Sequence, residues 1–251
     1  MHTQPRPSLF RRLLSRESLP PWQASTGLIF VAAYVGIWLA SVSILSILTG
    51  EIEGRVPSPR TLALSALLCG VVASAGVVQW ARARIGAGWP RALRLDAPSQ
   101  RNTLLVIFLL GLGLAWAFDL GGALLRLKEG QVVPPVLEAL RTPDAVGIIV
   151  AALVALVVHP GAEALIFGAI LYAGLTRVFS DNRVVVVTGA FIYTIVSLLI
   201  SPLPLTWYAL TQPLLMALVM FSVRAYYQSA RAVFVVRSAF GVFFMMAALF
   251  L

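Results

Sequence analysis

Seven stretches of about 20 or more predominantly apolar residues divide this chain of 251 residues, and no other feature limits its fold as severely. A helix of that length matches the hydrocarbon thickness of a bilayer. The runs lack the alternating pattern of outer-membrane barrel strands, so the expected fold is all-α, a polytopic membrane bundle of about seven transmembrane helices. With 59% hydrophobic and 12% charged residues, the chain carries more apolar side chain than a soluble domain of its size could bury.

The spans are expected at about residues 23–49, 61–81, 103–125, 145–179, 184–200, 205–223 and 232–251. The fourth is long enough to be two short helices meeting at Pro160, or one kinked helix. Charge favours the second arrangement. With one crossing, the segments on the amino-terminal side hold 14 arginines, against four arginines and Lys128 on the other. A second crossing would invert everything after Glu163 and weaken that bias. One kinked span follows, with a re-entrant break near Pro160 as the other arrangement. The amino terminus is then cytoplasmic and the chain belongs in the inner membrane.

The formal charge of +9 sits in the connections, as topology determinants do, so no nucleic-acid partner is expected. Residues 1–22 read as a retained cytoplasmic basic tail, having neither an apolar core nor a small-residue cleavage site. Residues 23–144 form a three-span region and 145–251 a four-span region of one membrane domain, without internal repeat. Arg82 to Arg101, with Trp89 and Pro90, reads as a basic segment on the headgroups. Asp119, near the outer end of the third span, reads as a polar cap. Ala66, Gly70 and Ser74 follow the four-residue spacing that lets helices approach closely. Cys69 is the lone cysteine and His2 and His159 the only histidines, so no disulfide and no metal site are expected.

Within the spans, the candidate polar groups are His159, Glu163, Tyr193, Ser197, Gln212, Arg237 and Ser238. Glu163 is the most demanding, because an ionisable group in the bilayer is costly unless paired. His159 lies four residues before it, on the same helical face if the helix runs regularly through Pro160. Two readings follow: a proton-handling Glu163–His159 pair, or a buried ion pair of Glu163 with Arg237.

The stretch PGAEALIFGAILYAGLTR resembles the glutamate-motif segment of the CPBP family, the CAAX prenyl endopeptidase and bacteriocin-processing intramembrane peptidases. The resemblance covers about residue 145 to the end. Glu163 falls on the family's first glutamate, but Ala164 stands at the second and Gly168 at the arginine. Tyr193 and Ser197 stand at the aromatic and histidine of the next motif, and Ser238 and Val242 at the final histidine and asparagine. The resemblance implies a water activated by glutamate and histidine, with the last histidine and asparagine holding an oxyanion. Loss of one oxyanion donor typically costs about 100-fold to 1,000-fold in turnover. Ala164 and Gly168 instead make a small-residue ridge suited to helix packing.

The expectation is therefore a non-catalytic CPBP-like protein, acting as subunit, scaffold or chaperone of a membrane assembly, with the bilayer and another integral membrane protein as partners. The alternative is a divergent intramembrane endopeptidase using Glu163 and His159. A proton-coupled carrier stands third. No cofactor is expected, a pigment ligated by His159 being the one exception considered.

Overall fold

The computed structural model describes residues 20–51, 57–95, 101–126, 134–142, 144–201 and 206–250. Residues 1–19 of the expected tail, and segments 52–56, 96–100, 127–133 and 202–205 of the expected connections, lie outside the described residues. Among the described residues there is no strand, and seven helices are long and apolar enough to cross a membrane. They are α1 (Ala24–Leu48), α2 (Pro59–Ile85), α3 (Arg101–Leu124), α4 (Ala145–Val178), α5 (Asn182–Ile200), α6 (Trp207–Tyr227) and α7 (Ala230–Phe250). The chain is a multi-pass helical membrane protein.

Most starts are written in the sequence as caps. The Ser58 hydroxyl accepts from Thr61 N–H with Pro59 in the first turn of α2. Asp144, Asp181 and Thr206 likewise accept from Val146, Arg183 and Ala209 N–H at the starts of α4, α5 and α6. α6 ends where Gln228 turns to a positive φ of 52° and returns its N–H to the Arg224 carbonyl.

α4 is the central span and packs against α1, α2, α5, α6 and α7. It is one continuous helix, as the charge distribution favoured, and its irregularity is widening rather than a break. Ordinary α-helix over Ala145–Leu153, His159–Glu163 and Tyr172–Val178 alternates with π-helical turns at Val154–Val158 and Ala164–Leu171. Pro160 gives a local reason for the first. It has no N–H to offer the Leu156 carbonyl, and its ring crowds the preceding turn. Three donors from other elements take carbonyls in the wide turns. The Ser238 hydroxyl donates to Leu156 O (2.9 Å), Arg224 Nε to Gly168 O (2.7 Å) and Trp22 Nε1 to Ile170 O (3.0 Å).

Glycines set the closest approaches to α4. A Cβ on Gly241 would lie 2.1 Å from Ala155 O, and one on Gly27 2.8 Å from Leu171 Cα. α3 lies to one side, held on α7 at Gly111 against Val236 and Ala239. Leu28, Ile29, Leu105, Leu109, Phe191 and Ile195 face outward, toward lipid.

Two expected boundaries are corrected. Pro20 and Trp22, assigned to the tail, are buried in the bundle, because the wide turn of α4 offers the Trp22 indole an acceptor. The basic segment after residue 81 does not simply lie on the surface. α2 continues through Arg82 and Arg84, a tight turn at Gly86–Gly88 leads to a short helix at Trp89–Ala92, and Leu93 is fully buried. The Arg94 carbonyl then accepts from Ala230 N–H at the start of α7.

Candidate functional site

Glu163 ends the ordinary α-helical turn between the two wide turns of α4 and is only 4% exposed. Arg237, from α7, donates through Nε to Oε2 and reaches Oε1 with Nη2 at 3.5 Å. Tyr193, from α5, donates its hydroxyl to Oε1 at 2.9 Å. Both carboxylate oxygens are therefore engaged, and three helices meet at one group. A charge this deep in a bilayer is tolerable only when paired in this way.

His159 lies one turn earlier and lines the same cavity as Glu163, yet the two are not hydrogen-bonded to each other. Among the described residues, the buried Nε2 of His159 has no hydrogen-bond partner. The imidazole instead meets Trp38 edge-on, with ring centroids 6.2 Å apart.

The cavity has a volume of about 200 Å³. Glu163, Arg237, Tyr193 and His159 line it together with Ser197 and Gln212, while Trp38, Leu62, Val136, Met216 and Phe244 supply an apolar wall. It extends to Ile200, Ser201 and Ala209, where α5 ends and α6 begins. Six of the seven polar groups singled out from the sequence thus come together around one space.

Ser238 is the seventh, and its hydroxyl is spent on the Leu156 carbonyl that Pro160 leaves without a helical donor. Val242 is half-buried on α7, away from the cavity lining. Ala164 is buried, and a Cβ on Gly168 would meet the Val233 side chain of α7 at 3.1 Å. The Ala164–Gly168 ridge is therefore an internal packing surface of this chain. Ala66 and Gly70 behave alike, Gly70 lying against Val158 of α4, while Ser74 is half-buried.

No family model, no curated protein and no solved structure matches the chain.

Among the described residues no group of three or more His, Cys, Asp or Glu side chains is placed to hold a metal ion. At His159, the position considered for a pigment, the Trp38 ring covers one edge of the imidazole and Nε2 is buried. Asp119, read as a cap, accepts from the Tyr208 hydroxyl at 3.3 Å and so ties α3 to α6.

Sequence reasoning missed Arg224. It was counted with the surface arginines, but it is 0% exposed, with its guanidinium 4.6 Å above the Tyr172 ring and Nε on Gly168 O. The long arginine side chain lets a residue near a helix end reach inward as readily as outward. Arg237, by contrast, is where the ion-pair reading of the sequence expected it, on Glu163.

Proposed function

We propose that this chain is a non-catalytic integral membrane protein on a CPBP-like scaffold, acting as a subunit, scaffold or chaperone of a membrane protein assembly. The support comes from Glu163. A general base needs a carboxylate oxygen within hydrogen-bond reach of the attacking water. Here each oxygen serves a protein donor, Arg237 or Tyr193, and the carboxylate joins α4, α5 and α7. Ser238, the remaining counterpart of an oxyanion donor, is committed to the backbone of α4. Purification in mild detergent after cross-linking in the native membrane tests this reading. A stoichiometric integral membrane partner is expected, and a chain that migrates alone would count against it.

A divergent glutamate peptidase is the second reading, favoured by the cavity that reaches both His159 and Glu163. It requires that Glu163→Gln and His159→Ala each abolish cleavage of a membrane substrate while the fold persists. Undiminished cleavage in either variant sinks it. A proton-coupled carrier has less support, because among the described residues no pair of broken helices accompanies the buried acid.

The same proposal places the amino terminus in the cytoplasm and the chain in the inner membrane. Arg82, Arg84, Arg91, Arg94, Arg177, Arg183 and Arg231 all belong to the end of the bundle where α1 begins.

A further inference from the structure

We propose that the cavity beside Glu163 is a binding site for an uncharged, mainly apolar molecule of one-ring size that carries a hydroxyl group. Size sets the first limit. An apolar cavity of about 150 Å³ accommodates benzene, so a volume of about 200 Å³ takes one substituted ring within it. Charge sets the second. Arg237 and Glu163 neutralise each other, so among the described residues no Asp, Glu, Lys or Arg in the lining has an unmet counter-charge.

The lining sets the third. Trp38, Met216 and Phe244 offer the ring and sulfur contacts that suit a planar apolar body. Among the described residues, neither the Ser197 hydroxyl nor the Gln212 amide is hydrogen-bonded to protein, although both line the cavity. Each can donate and accept, which is the complement of a hydroxyl group. His159 lines the same space, but its Nε2 is itself buried and adds nothing for a ligand to meet. A bundle that satisfies its carboxylate twice, yet leaves the Ser197 hydroxyl and the Gln212 amide lining one space, is arranged to receive polarity from a ligand. The inference goes beyond the assembly role proposed above and holds equally for a subunit or a lone chain.

The test uses the full chain in nanodiscs, with equilibrium dialysis of labelled p-cresol and of toluene, corrected for uptake by empty discs. The two probes differ by one hydroxyl. Saturable one-site binding is expected, with p-cresol held about tenfold more tightly than toluene, the size of one well-made hydrogen bond. Gln212→Met should bring p-cresol to the toluene level and leave toluene unchanged, and Ser197→Ala should lower the preference as well. Ala209→Trp, at the helix ends to which the cavity extends, should abolish saturable binding of both. The proposal is overturned by non-saturable uptake of p-cresol, by equal affinity for the two probes, by a preference that survives both polar substitutions, or by binding that persists in Ala209→Trp. If a variant does not fold, the comparison of the two probes on the unaltered chain still decides.

Discussion

Arg237 and Glu163 illustrate how much of a membrane bundle's stability can rest on one buried pair. Removing one partner leaves the other charged and unpaired, which typically costs about 3–5 kcal/mol, whereas replacing both by apolar groups is often nearly neutral. Arg237→Leu is therefore expected to destabilise the bundle by about that amount, and the double variant Glu163→Leu/Arg237→Leu to recover most of the loss. Reversible unfolding in mixed detergent measures both, and a double variant as weak as the single one would refute a pairing role. Trp22→Phe, which keeps the ring and deletes the donor to Ile170 O, should cost about 0.5–1.5 kcal/mol in the same assay. At this scale Glu163, His159 and Arg237 were legible, because a run of apolar side chains makes such exceptions conspicuous, whereas Arg224, at a helix end, was not. Nor was Trp22. It stood at the end of the expected tail, and the carbonyl its indole finds belongs to a wide turn that no residue type announces.

Spans could be read from run length and caps because both are local. Serine, aspartate or threonine immediately precedes four of the helices and accepts a backbone N–H in each. The interior of α4 could not be read that way. Only Pro160 hinted at irregularity, and it suggested a kink or break where the structure has two π-helical segments. Whether a carbonyl there finds a donor depends on Trp22 before α1 and on α6 and α7, which lie far away in sequence. The contact of α7 with the first wide turn supplies a clear prediction. Gly241→Ala would push a methyl group against the Ala155 carbonyl, an overpacking expected to cost about 1–3 kcal/mol. Gly113→Ala on α3, where nothing lies within 4 Å of the added atom, should be neutral or slightly stabilising. Equal stability of the two variants would contradict this placement of α7.

At the scale of the whole molecule, alternation of seven spans gathers the basic connections at one end, while the cavity extends toward the other, as far as Ile200 and Ser201. With Cys69 replaced by serine, Ser180→Cys should be shielded from a membrane-impermeant maleimide in intact cells and Glu138→Cys labelled. The reverse pattern would invert the proposed orientation. The bilayer fold was legible because composition alone demands it, but the cavity was not, since Trp38, Val136, Met216 and Phe244 meet only after the chain has crossed repeatedly. The wide turns of α4 also bear on how this chain can be aligned with any other. A π-helical segment takes about one more residue per turn than an α-helix. A relative whose corresponding span is uniformly α-helical would need a gap within Ala164–Leu171 to match facing positions. An ungapped comparison would rotate each later residue by about 100°, so equal spacing from Glu163 to Gly168 does not guarantee that two chains point the same side chain at the same place.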